Sequence, residues 1–134
     1  MRKYEVTNKV TIIDGGKVLY RIKALVDIDY HGVRKGDLGG FIEKEENLSQ
    51  SGDCWIAKNA MVFENACVSE DACVSEDAHV FGNARIFGKA YVANNACIFG
   101  DAWIHGNSCI RGDASVSGNV SVSAGLISGK TRIS

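Results

Sequence analysis

Three histidines, His31, His79 and His105, and five cysteines at 54, 67, 73, 97 and 109 are the residues of this 134-residue chain whose types best suit chemistry. Imidazole titrates near neutral pH, so His79 or His105 has the makings of a general base that takes a proton from an attacking hydroxyl or amine. No partner carboxylate is evident for any histidine, and each reads first as an ordinary surface residue. A catalytic metal would need convergent ligands, and the chain has neither a closely spaced histidine pair nor a Cys-x-x-Cys pair; no metal site is expected. An odd number of cysteines fits thiols kept reduced rather than a disulfide framework. Glu64, Glu70, Asp71, Glu76 and Asp77 carry calcium-type oxygens, but they lack EF-hand spacing and read as solvated. Gly36-Asp37-Leu38-Gly39-Gly40 reads as a turn, since no phosphate-binding strand, loop and helix surround it.

What must position these side chains is a six-residue period running from Cys54 to about Gly125. Blocks such as Ala72-Cys73-Val74-Ser75-Glu76-Asp77 and Ala78-His79-Val80-Phe81-Gly82-Asn83 place Ile or Val at the third position of every block, from Ile56 to Val122. Ala and Ile or Val sit two apart, so strand alternation turns both to one side and the intervening residues to the other. Gly or Glu, then Asn or Asp, supply a corner that tolerates positive φ. Each block is a short strand and a corner, too small to bury its own apolar face except against copies of itself. The absence of proline suits a chain of paired strands.

Residues 1–47 differ in composition. Lys9–Ile13, the turn Asp14-Gly15-Gly16 and Val18–Leu25 predict a hairpin, followed by a strand near Val26–Tyr30, a turn at His31-Gly32 and the Gly-rich stretch before Phe41-Ile42. This segment is expected to cap the first turn of the repeat, whose open end would otherwise expose unpaired strand edges. Residues 48–134 are then the repeat proper, in one continuous domain with the cap. The period breaks once near the end, where Ile127 follows Val122 after five residues.

An aliphatic residue followed four positions later by a small one, as at Val62/Ala66, Val68/Ala72, Val80/Ala84 and Ile86/Ala90, resembles the hexapeptide-repeat superfamily. The Arg21-Ile-Lys-Ala-Leu25 strand, the Gly-Asp-Leu-Gly-Gly stretch, Asn47-Leu-Ser and Trp55-Ile are similar to small bacterial and prophage members often labelled transferases. The resemblance implies an all-β, left-handed parallel β-helix with three six-residue blocks per coil and about four to five coils. It also implies acyl transfer from acetyl-coenzyme A, with His79 or His105 as base and the cofactor between subunits. With no insertion in the period between residues 54 and 124 there is no long loop to complete such a pocket, so a non-catalytic reading is preferred. In a prophage-type setting the partner would be a host protein, blocked by binding, or a nucleotide-like ligand held between subunits.

Three blocks per coil would stack residues eighteen apart and sort the outward side chains into three columns. One carries Met61, Phe63, His79, Phe81, Cys97 and Phe99, ending in Ser115 and Ser117. A second carries Trp55, Cys73, Tyr91, Cys109 and Arg111, and the third Cys67, Ser69, Arg85, Phe87, Trp103 and His105. Three phenylalanines in register predict an outward aromatic ladder, an apolar patch of the kind that marks contact surfaces. A homo-oligomer is the expected contact, with the edge of the last coil as the competing seam, and the resemblance to the hexapeptide-repeat superfamily implies a trimer before a dimer. Trp55, Tyr91, Arg85, Trp103 and His105 form a secondary surface. A net charge of −1 gives no reason to expect nucleic acid or anionic membrane. No apolar stretch is long enough to span a bilayer, and a cytoplasmic protein is expected.

Overall fold

The computed structural model describes residues 2–134 and is all-β apart from short 3-10 turns at Asp14–Gly16, Asp29–His31 and Glu45–Asn47. From Trp55 onward each block contributes a two-residue strand at its second and third positions, the branched residue pointing inward and the preceding one outward. These strands stack as a parallel β-solenoid of about five turns. Met61 pairs with His79, His79 with Cys97, and Cys97 with Ser115, while Cys67, Arg85, Trp103 and Ser121 stack likewise on another sheet. Trp55, Cys73, Tyr91, Cys109 and Leu126 form the strands of a third. Neighbouring turns satisfy one another's backbone groups: Phe81 N donates to Ile98 O at 2.9 Å and Asn83 N to Gly100 O at 2.8 Å.

Inside, Ala and Val or Ile alternate without solvent contact, Val80, Ala84, Ile86, Ile98 and Ile104 all being 0% exposed. Burying one such branched side chain is worth roughly 1.5–3 kcal/mol, repeated at each block from Ile56 to Val116, whereas Val122, Ile127 and Ile133 are only partly buried. The break in the period is absorbed at one corner. Cys109 pairs with Leu126 and Ser115 with Arg132, one residue short of the register elsewhere, and Gly125, at φ 92°, closes the shortened turn.

The N-terminal segment does more than cover an end. β1 (Tyr4–Ile12) and β2 (Val18–Ala24) form the hairpin, and β3 (Leu38–Ile42) pairs antiparallel with β2 but parallel with Met61–Val62. β3 is therefore the adaptor that converts an antiparallel hairpin into the parallel stack, and the three strands complete an eight-stranded sheet. Two expectations are corrected here. Val26–Tyr30 is not a strand, because Asp29–His31 curls into a 3-10 turn closed by Gly32 at φ 69° and bridged by Ile28 and Val33. Gly39-Gly40 is not a turn but the middle of β3, where a Cβ on Gly40 would lie 2.6 Å from Ala60 O and one on Gly39 2.6 Å from Ile56 O. Only glycine lets that strand lie so close to the first turn. Among the described residues no helix is long and apolar enough to cross a membrane.

Polar side chains fasten the cap. Asn47, fully buried, accepts from Glu43 N at 3.0 Å and Lys44 N at 2.8 Å, and donates to Glu64 O at 3.1 Å and Ala66 O at 2.8 Å. Tyr4 is equally buried and its hydroxyl donates to Leu48 O at 2.6 Å. Lys3 Nζ donates to Cys54 O at 2.7 Å and Gly52 O at 3.2 Å. Arg21 lies over the Phe41 ring and donates to Gly39 O at 2.6 Å and Lys58 O at 3.0 Å.

Candidate functional site

The eight-stranded sheet presents Phe63, Phe81 and Phe99 as a ladder. Their rings stack with centroids 5.1 Å apart at each step and planes within 8° and 4° of parallel. The register forces this, since each Phe follows an inward Val or Ile whose backbone is paired with the next turn. All three rings are half-buried. Beside them lies a cleft of ≈ 370 Å³ whose walls include Met61, Phe63, His79, Phe81 and Cys97 on one side and Ile13, Asp14 and Lys17 on the other. The second wall is the tip of the hairpin, which leans toward the ladder while Lys17 Nζ stands 3.9 Å from both Glu43 and Glu64 carboxylates. That overhang was not legible in the sequence, because the hairpin lies outside the repeat.

The four-stranded sheet collects the second aromatic group. Phe87 and His105 stack at 4.8 Å with planes 4° apart, Trp103 meets Phe87 edge-on at 5.8 Å and 78°, and the Arg85 guanidinium lies 5.9 Å from the Trp103 ring. His105 Nε2 is 2.9 Å from Ser121 Oγ. Trp103 is 48% exposed. A hollow of ≈ 310 Å³ opens beside it, lined by Cys67, Ser69, Arg85, Phe87 and Trp103.

The remaining five-stranded sheet is partly covered, which corrects the placing of Trp55 on a secondary surface. Trp55 is 2% exposed and packs in the core cluster with Tyr4, Ile22, Ile28 and Val33, its ring against Gly39. Cys73, Ser75 and Ala93 are buried as well, whereas Tyr91 remains 40% exposed. His31 lines a recess with Cys73 and Tyr91, and its Nε2 donates to Asp71 O at 3.1 Å. Burial holds the His31 imidazole below its ordinary pKa, which favours the neutral ring.

The histidines are not brought together. His79 is exposed on the eight-stranded sheet and its imidazole has no hydrogen-bond partner among the described residues, while His105 lies on another sheet and meets a hydroxyl rather than a carboxylate. Burial raises the thiol pKa of Cys54, Cys67 and Cys97, and pushes Cys73 up to about 12. These thiols stay protonated at neutral pH, which is unfavourable for nucleophilic work.

The acidic corners are more structural than the expectation of solvated carboxylates allowed. Glu64 stands at φ 58° and its Oε1 accepts from Gly82 N at 2.9 Å; Glu70, also at φ 58°, accepts from Gly88 N at 2.8 Å. Asn94 does the same for Gly112 N at 2.9 Å. A left-handed backbone that disfavours side chains is tolerated because the side chain caps the corner of the next turn. No protein-family model matches the chain, and no curated protein matches it.

Proposed function

We propose that the chain is a non-catalytic binding or scaffold module of bacterial or phage origin, working through the Phe63–Phe81–Phe99 column. The finer architecture belongs to the same reading: a left-handed coil of three six-residue blocks per turn, of hexapeptide-repeat type. One observation carries the functional part, the coaxial stack of three half-buried phenylalanine rings beside an apolar cleft. Stacking stabilises successive turns, but it leaves one side of every ring facing outward, and rings in a row make a flat apolar strip. Such a strip can be self-complementary, so a homo-oligomer is the first occupant, and the resemblance to hexapeptide-repeat proteins puts a trimer before a dimer. A host protein or a nucleotide-like ligand would meet the assembled surface. The coenzyme-A-dependent acyltransferase is less well supported, because neither His79 nor His105 has a carboxylate partner among the described residues.

Two measurements test these readings: Phe81→Glu tests the seam, and acetyl-coenzyme A binding separates scaffold from enzyme. Light scattering coupled to size-exclusion chromatography is expected to show an oligomer for the parent chain and a monomer for the variant, with circular dichroism unchanged. An oligomer of unaltered mass in Phe81→Glu removes the Phe column as the seam. Saturable binding of acetyl-coenzyme A, abolished by His79→Ala or His105→Ala, would replace the scaffold with the enzyme.

A further inference from the structure

We propose that the hollow on the four-stranded sheet, walled by Arg85, Phe87 and Trp103, is a small-molecule site for an aromatic ring bearing an anionic group, a carboxylate or a phosphate. The site needs neither an oligomer nor the Phe column, which lies on a different sheet. It therefore stands or falls separately from the scaffold reading.

The hollow is a consequence of side-chain size within a fixed register. Cys67 and Ser69 lie one turn before Arg85 and Phe87, which lie one turn before Trp103 and His105. Two small residues followed by four large ones leave a step, and the step is the ≈ 310 Å³ hollow. Its walls are preorganised. Phe87 is backed by the His105 ring at 4.8 Å, and His105 is in turn held by Ser121 Oγ at 2.9 Å. Trp103 stands at 78° to Phe87, so the two rings form a corner in which a planar ligand can lie on one face and meet the other wall.

Charge selects the class of ligand. The ion pairs among the described residues belong to Arg2, Lys17 and Arg34, and Arg85 has none. Its guanidinium touches Trp103 only loosely, at 5.9 Å from the ring centre, which leaves its N–H fork free for a bidentate contact with carboxylate or phosphate oxygens. The Cys67 thiol on the floor is kept neutral by burial, so no negative charge competes there. A purely apolar ligand would desolvate the Arg85 cation without a partner, and a bare anion would leave the half-exposed Trp103 ring wet. An aromatic anion satisfies both groups.

Trp103 reports on the site directly, because Trp55 is buried beneath the cap and the two indole N–H resonances serve as probe and internal control. The full chain is titrated with adenosine 5′-monophosphate and with benzoate, and in parallel with adenosine and with inorganic phosphate. The expected result is a saturable shift of the Trp103 indole signal with both aromatic anions, a still Trp55 signal, and at least tenfold weaker effects of adenosine and phosphate. Arg85→Gln, at an exposed position, should weaken binding at least tenfold without altering the circular dichroism spectrum. Phe81→Glu should bind as the parent chain does. No saturable Trp103 shift at millimolar ligand, an equal response to phosphate alone or to adenosine alone, or binding that survives Arg85→Gln would each overturn the proposal.

Discussion

The cap and the repeat solve the same problem, burying strands that cannot stand alone, by opposite means. In the repeat most strand and corner amides are met by a carbonyl of the next turn, and the same Ala and Val or Ile recur inside. No single residue is irreplaceable in kind, because its neighbours are versions of itself. In the cap nothing recurs: β3 must change from antiparallel to parallel pairing within five residues, and the junction rests on single side chains such as Asn47, Tyr4 and Lys3. The difference teaches where the molecule tolerates change. Outward positions of the repeat can vary freely and so can carry function, whereas the cap is committed to structure down to individual hydrogen bonds.

The sharpest way to break this contrast is at Gly40. Gly40→Val places side-chain carbon within 2.6 Å of Ala60 O and of Ile56 Cγ2, neither of which can yield without moving the first turn. The expected loss is about 4 kcal/mol or more, read as a collapse of the urea midpoint. A variant within about 1 kcal/mol of the parent would mean that β3 does not need its close approach. Next in size is Asn47→Ala, which leaves Glu43 N, Lys44 N, Glu64 O and Ala66 O without their partner. Its expected cost is about 2–3 kcal/mol, with the loss of amide-exchange protection concentrated at residues 43–47. Uniform loss of protection along the whole repeat would show that the cap is not a separate fastening.

The smallest effects should come from the corners, and they should have different sizes at equivalent positions. Gly100→Ala puts a Cβ 2.7 Å from Gly118 N in a left-handed backbone and should cost about 1–2 kcal/mol. Glu64→Gly relieves the left-handed strain but loses the bond to Gly82 N, and should change stability by less than about 0.5 kcal/mol. Equal melting temperatures for the two variants would erase the distinction between a corner closed by glycine and one closed by a capping carboxylate.

Much of the repeat was legible because its period and its register are one fact. Once Val62 and Val80 point inward, Phe63 and Phe81 have no choice but to stack, and the ring geometry of the ladder follows. The same reasoning grouped Arg85, Phe87, Trp103 and His105, though the hollow between them needed the relative sizes of Cys67 and Ser69 to be read as a shape. Trp55 was misread for a clear reason. Its position in the block is outward like that of Tyr91, but the periodicity says nothing of a segment from outside the repeat that lands on it. The corner glutamates were likewise judged by polarity alone, and their bonds to the next turn's glycine amides become visible only when the turns are stacked.

The sequence by itself determined the strand-and-corner unit, the inward and outward sets, and the aromatic column, because each depends on local alternation repeated at a constant interval. The tertiary structure alone decided that β3 joins the hairpin to the stack, that Trp55 and Cys73 are covered, and that the hairpin tip walls a cleft beside the phenylalanines. Those outcomes depend on contacts between segments far apart in the chain, where no period relates one residue to the other and only the packing of particular side chains chooses the partner.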